Sequence, residues 1–140
     1  MRKETGDEKA EIKLIEYFSR HFSEKKKYKK AISNFTKSLA AYSLICYIMA
    51  IKDRHNGNIL IDIEGHILHI DFGFLLSNSP GGNMKFENVP FKLTSEFAEI
   101  MGGQGSKEFE RFRHLMKDGF MALQEHADKI IMLVEMMILG

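Results

Sequence analysis

The chain of 140 residues has one cysteine, two prolines and no tryptophan. The lone Cys46 lies inside an apolar run. That excludes an intrachain disulfide and a cysteine-built metal site, and it points to a reducing compartment, cytosolic or facing the cytosol. Net charge is nearly absent as well. Twenty Lys and Arg against 19 Asp and Glu leave +1, whereas a dedicated nucleic-acid-binding domain is basic, so no nucleic acid is expected as a partner. Long hydrophobic runs are missing too. The longest stretch free of charge, Ser38 to Ile51, falls short of the roughly 20 residues a spanning helix needs. The opening MRKETGDEKA is charged throughout, and no signal peptide is visible in it. What is present, 44% hydrophobic and 28% charged residues, is ordinary globular composition at a length that suits one modest domain.

Along the chain, Ile12, Ile15, Phe18 and Phe22 recur at three- and four-residue spacings, which predicts a helix over Lys9–Phe22. The run from Lys25 to Lys30 holds five lysines around Tyr28. It reads as a solvated loop or helix start; the sharper alternative is contact with anionic lipid, worth about 1 kcal/mol per lysine. Ala31–Ile51 is densely apolar and predicts a central helix buried on nearly all sides, with Cys46 as a packed side chain. Ile59–Ile63 and His66–Ile70 are short β-branched runs around Glu64-Gly65, a hairpin whose glycine supplies the positive φ of the turn. Phe74–Val89 reads as a loop of functional length. Helical spacing resumes at Thr94, with Glu96 placed for N-terminal capping, and breaks at Gly102-Gly103. Two further helices are expected over Ser106–His126 and Asp128–Leu139. The stretch Ile130–Leu139 has one charge, Glu135, and is expected to pack on the body of the domain, the alternative being to lie against a bilayer. The predicted fold is mainly α with a small β-hairpin.

Chemistry gathers around that hairpin. Asp53-Arg54-His55-Asn56-Gly57-Asn58 stands directly before the first strand, and Asp71-Phe72-Gly73 directly after the second. Phosphoryl transfer needs metal ions on the phosphates and a group that orients the attacking hydroxyl. An Asp and an Asn offer hard oxygen donors suited to Mg²⁺. Antiparallel pairing brings Asn58 and Asp71 to neighbouring strand ends, because one strand begins where the other finishes. The spacing from Asp53 to Asn58, the strand pair and the D-F-G tripeptide follow the kinase template.

Those segments, Lys52–Leu60 and His69–Phe74, resemble the phosphatidylinositol 3-/4-kinase superfamily, whose catalytic loop reads D-R-H-x-x-N where most protein kinases have H-R-D. Leu39–Leu44, the Asn-Gly-Asn of the loop and Phe91-Lys92-Leu93-Thr94 resemble the phosphatidylinositol 4-kinase branch, the type III beta form in particular. The resemblance runs from about Ile12 to Ile138. It implies that residues 1–140 are the C-terminal lobe of a lipid kinase catalytic domain, with the catalytic loop at 52–60 and the D-F-G and activation loop at 71–93. It also implies ATP and Mg²⁺ as cofactors, with Asn58 and Asp71 holding the metal against the phosphates. By the same resemblance Asp53 and His55 are expected to handle the inositol hydroxyl. Either could be the base: a neutral imidazole is competent near pH 7, and an Asp beside metals can serve only to orient.

Arg54 is expected to be structural, paired with a loop carboxylate, and His69 to pack or hydrogen-bond locally. His21, His66, His114 and His126 are expected at the surface or as satisfied core residues. Lys85 and Lys92 are the substrate-binding candidates, Lys85 for the bridging phosphate and Lys92 also for fixing the end of the loop. Between Phe72 and Phe91 the only charges are Lys85 and Glu87. A ring already phosphorylated would call for several Lys or Arg there. The expected substrate is therefore plain phosphatidylinositol in a membrane, phosphorylated at its 4-hydroxyl.

No Gly-rich phosphate loop or strand lysine precedes Asp53. The lobe that covers ATP is thus expected to be absent from this chain, which by itself should be inactive, with regulatory proteins acting through regions outside it. A cytoplasmic place, peripheral on intracellular membranes such as the Golgi, goes with the resemblance. The competing readings are a 3-kinase, a related protein kinase and a non-catalytic helical binding module.

Overall fold

The computed structural model describes residues 12–76, 89 and 91–140. Helix α1 spans Leu14–His21 and α2 spans Lys25–Ile48. A single 3-10 turn over Asn56–Asn58 leads into β1 (Ile59–Ile61), which pairs antiparallel with β2 (Ile67–His69). Helices α3 (Ser95–Ile100), α4 (Lys107–Glu125) and α5 (Ala127–Leu139) complete the chain. The mainly α fold with one hairpin is the predicted one.

The core lies where α1, α2, β2, α3 and α4 meet. Phe18, Phe35 and Phe97 form an edge-on chain of rings, each neighbouring pair 5.6 Å apart, with Leu39, Ile67, Phe109 and Phe112 closing around it. Burying side chains of this size supplies most of what holds such a small fold, about 1.5–3 kcal/mol each.

Several expected boundaries shift. The first helix begins at Leu14, so Ile12 is not part of its buried stripe and stands 58% exposed; the expected residues up to Glu11 lie outside the described ones. The lysine run is the first turns of α2, continuous with the apolar stretch. That helix is not buried on all sides: Ile45 and Tyr47 near its end are half exposed. At α3 the capping atom is Thr94 Oγ1, which accepts from Phe97 N at 3.1 Å, and Glu96 sits in the first turn where the helix dipole favours it. Ser106 caps α4 in the same way, accepting from Phe109 N at 3.1 Å.

Helix α5 departs furthest from expectation. None of its residues is buried, and Ile131, Met132, Leu133, Met136, Met137, Ile138 and Leu139 are each more than half exposed. The rest of the described chain offers no surface that covers them, so the expected packing is not what the structure has. No helix among the described residues is long and apolar enough to cross a membrane.

The hairpin is shorter than predicted, three residues per strand. Asp62 and His66 belong to the turn: Asp62 Oδ1 accepts from the Glu64 and His66 amides at 2.9 and 2.8 Å. Burial pushes the Asp62 carboxyl up, and these amides with the His66 ring more than offset it, leaving the group below its usual value. Strands this short do not stand alone. Helix α2 carries them on one stripe, at Ala31, Asn34, Ser38, Tyr42 and Cys46, the spacing of neighbours on a helix face. Ala31 abuts Gly65, whose φ is +87°. Asn34 Nδ2 donates to the Glu64 carbonyl at 2.9 Å, and Ser38 Oγ accepts from Ile67 N at 2.9 Å. Tyr42 stacks on the His69 ring, and Cys46 Sγ lies 3.5 Å from His69 Nδ1.

Candidate active site

Helix α2 releases the chain at Met49, and the segment after it runs beside the segment after β2. Lys52 N donates to the Phe74 carbonyl at 2.9 Å and Leu76 N to the Met49 carbonyl at 2.8 Å. The hairpin ladder extends one step past the strands, with Ile70 N donating to the Asn58 carbonyl at 2.9 Å. Asn58 and Ile70 are therefore neighbours, and Asp71 follows directly.

Two features mark this junction as more than packing. Asp53 has φ +61° and Asp71 φ +59°, the left-handed region that costs a non-glycine residue about 1–2 kcal/mol. Both carboxylates of interest thus sit on backbone that the surrounding structure must hold. The second feature is Arg54, a buried cation on backbone carbonyls. Its Nε donates to Lys52 O at 3.1 Å, one terminal nitrogen to Ile70 O at 2.8 Å, and the other to Asp71 O. The expected loop carboxylate is not among its described partners; sequence spacing does not show where main-chain oxygens converge. Phe72 lies against the guanidinium, 5.5 Å from ring centroid to Cζ.

Asn58 is buried, and its Nδ2 donates to the Asp53 carbonyl at 2.7 Å. A carbonyl only accepts, so the nitrogen of the amide is fixed there and Oδ1 is the atom left for a cation. The same Nδ2 lies 3.0 Å from His55 Nε2, while Gly57 N donates to His55 Nδ1 at 3.0 Å. A neutral imidazole has one lone pair, so it serves one of these donors at a time. The same Nε2 stands 3.8 Å from Asp53 Oδ2. Asp71 Oδ1 accepts from Gly73 N at 3.3 Å, which turns the carboxylate back over its own loop.

Residues 2–139 match the family model for phosphatidylinositol 3- and 4-kinase. The chain belongs to this family. It is 50% identical over 136 residues, 96% of its length, to phosphatidylinositol 4-kinase PIK1 of Saccharomyces cerevisiae, and those residues are 13% of the yeast protein. To a phosphatidylinositol 4-kinase of Dictyostelium discoideum it is 52% identical, over 91% of this chain and 11% of that protein. To phosphatidylinositol 4-kinase beta of Xenopus laevis it is 46% identical, over 91% of this chain and 16% of that protein. The chain thus spans between about a ninth and a sixth of these relatives.

Within this kinase-family chain the hairpin and the loop before it bring Asp53, His55, Asn58 and Asp71 into one neighbourhood. Lys92 joins them through the main chain, its Nζ donating to the Arg54 carbonyl at 2.7 Å. Lys85 lies outside the described residues. Among the described residues no three His, Cys, Asp or Glu side chains cluster as a metal cage. The donor pair Asn58 and Asp71 is still chemically sound for Mg²⁺, a cation that keeps few protein ligands and takes the rest of its shell from phosphates and water.

Two features went unread in the sequence. Alternation along the paired strands puts Ile59, Ile61, Ile67 and His69 inward and leaves Leu60, Leu68 and Ile70 partly exposed on one apolar face beside Asp71. Counting outward positions across the hairpin would have found that face. The second is the helical stripe of α2, whose polar members, Asn34 and Ser38, leave no mark in hydrophobic periodicity.

Proposed function

We propose that this chain forms the substrate-facing half of a phosphatidylinositol 4-kinase active site, where the γ-phosphate of ATP passes to the 4-hydroxyl of phosphatidylinositol. The observation that carries the reading is the juxtaposition of Asn58 and Asp71 at adjacent strand ends, beside an accessible Asp53–His55 pair. The names of the relatives, each a phosphatidylinositol 4-kinase, support the choice of substrate and position.

Bound Mg²⁺ would supply charge neutralisation on the ATP phosphates. Asn58 through Oδ1 and Asp71 through its carboxylate are the groups that would hold it. The apolar face of Leu60, Leu68 and Ile70 gives a flat nucleotide base a dry surface next to those ligands. Asp53 takes the proton of the inositol hydroxyl. His55 is better suited to orienting it, since the imidazole lone pair is already taken by a donor of its own loop. Lys85 contacts the phosphate that links inositol to the lipid. Such an enzyme would work peripherally at intracellular membranes, the Golgi among them, under regulatory proteins that act through regions outside this chain.

The test is headgroup analysis of the lipid formed from ATP and phosphatidylinositol vesicles by the full-length protein that carries this chain. Phosphatidylinositol 4-phosphate is the expected product. A 3-phosphate, or phosphate transferred only to protein, would overturn the reading.

A further inference from the structure

Arg54 is only 4% exposed, and its charge is compensated by carbonyl dipoles, which replace lost hydration only while they stay in place. Two of the three carbonyls bracket a single residue. The Ile70 carbonyl belongs to the peptide before Asp71, and the Asp71 carbonyl to the peptide after it. One guanidinium therefore holds both peptide planes that meet at Asp71, and the angle between those planes is what φ and ψ describe. This is the residue whose φ is +59°.

Arg54 is itself held. Its carbonyl accepts from Lys92 Nζ at 2.7 Å, across 38 positions of sequence, and it adjoins Asp53, the other carboxylate with positive φ. The ammonium of Lys92 thus fixes one end of Arg54 while the guanidinium at the other end fixes Asp71. Charge-assisted bonds of this kind are about twice as strong as neutral ones, so the link suits a position that must resist relaxation.

We propose that Lys92 is a positioning residue for the metal-holding carboxylate: acting through Arg54, it keeps Asp71 in its left-handed conformation instead of contacting the lipid headgroup. This rests on the kinase reading above. Of the two roles expected of Lys92 from sequence, it develops the fixing of the loop and replaces the contact with substrate.

Lys92→Met removes the donor and keeps the length of the side chain. In the full-length protein, with phosphatidylinositol vesicles, kcat should fall about 10-fold, the loss seen when groups behind a metal ligand are removed. The Mg²⁺ concentration for half-maximal rate should rise severalfold, with KM for phosphatidylinositol unchanged. Lys92→Arg, able to donate to the same carbonyl, should recover most of both. A raised KM for the lipid with kcat and Mg²⁺ dependence unchanged would overturn the proposal, as would no change at all. A second readout needs no activity. In the full-length protein without ATP or lipid, Lys92→Met should speed hydrogen exchange at the amides of residues 70–74 severalfold without lowering the thermal midpoint. Faster exchange across the whole chain, or none at 70–74, would overturn it. If the unmodified protein forms no 4-phosphate the kinase reading fails, and the exchange result still decides the link from Lys92 to Asp71.

Discussion

The imidazole of His69 lies flat against the ring of Tyr42, centroids 4.6 Å apart and planes 9° from parallel. Its Nδ1 faces the Cys46 sulfur, and its buried Nε2 has no hydrogen-bond partner among the described residues. Burial first, and the nearby Arg54 charge second, push the imidazole down to about 4. The position directly behind Ile70 and Asp71 is therefore held by a neutral ring.

This makes a pH prediction with a definite sign. Between pH 6.5 and about 4 the unfolded chain takes up a proton at this residue that the folded chain refuses. The stabilising difference is whole above 6.5 and is lost as pH falls to 4, about 3 kcal/mol in all. His69→Phe keeps the stack on Tyr42 and removes the titration, so its denaturation midpoint should decline less steeply from pH 6.5 to 4.5. Parallel slopes for the two proteins would assign the acid sensitivity elsewhere.

Gly65 should be intolerant of any side chain. A β-carbon there would meet Ala31 Cβ at 2.8 Å and the Ala31 backbone at 2.9 Å, and φ is +87°. The neighbour is helix backbone and cannot swing away. Left-handed strain of about 1 kcal/mol plus overpacking of about 1–3 predicts that Gly65→Ala lowers stability by about 2–4 kcal/mol. Urea unfolding of the two proteins measures it.

The roles proposed for Asp53, His55 and Asp71 separate by substitution. Asn accepts left-handed backbone, so Asp71→Asn and Asp53→Asn leave the fold in place and change only the carboxylates. Each should reduce kcat by about 100-fold or more, the usual cost of removing a group aimed at transition-state charge or its proton. His55→Gln should cost about 10-fold less than Asp53→Asn. Steady-state kinetics with phosphatidylinositol decide it, and the reverse order would make the imidazole the base.

In the proposed kinase, substrate choice should follow from charge. Lys85 and Glu87 leave no net positive field between Phe72 and Phe91, while an added ring phosphate brings about −1.5 to −2 charges. Phosphatidylinositol should be used in strong preference to its phosphorylated relatives. Two or three arginines placed between Ser77 and Asn88 should narrow the gap, since guanidinium pairs phosphate bidentately. Comparing kcat/KM for each lipid in matched vesicles tests this, and equal use of a bisphosphorylated lipid by the unmodified protein would refute it.

The hairpin was legible because its signals are local: β-branched runs around a glycine. Its length was not, because Asp62 looks like a strand residue until its carboxylate is seen to close the turn on the His66 amide. Arg54 was recognisable as structural, but its partners are carbonyls set by tertiary approach, which no spacing encodes. The start of α2 was obscured because Glu24 makes no side-chain cap and lysines suit loop and helix alike. For α5 the pattern called for cover, and pattern alone cannot say where cover comes from.

The stripe on α2 has a consequence for how such a chain can vary. Its anchors at Ala31, Asn34, Ser38, Tyr42 and Cys46 hold the hairpin from turn to strand end. Inserting or deleting one residue within that span rotates everything beyond it by about 100° around the helix axis. The turn anchors and the strand-end anchors would then face different directions, and Asn58 and Asp71 would lose their common support. Helix α2 can accept new side chains at its exposed positions, but its length between Ala31 and Cys46 is as fixed as any residue of the loop that carries Asp53 and Asn58.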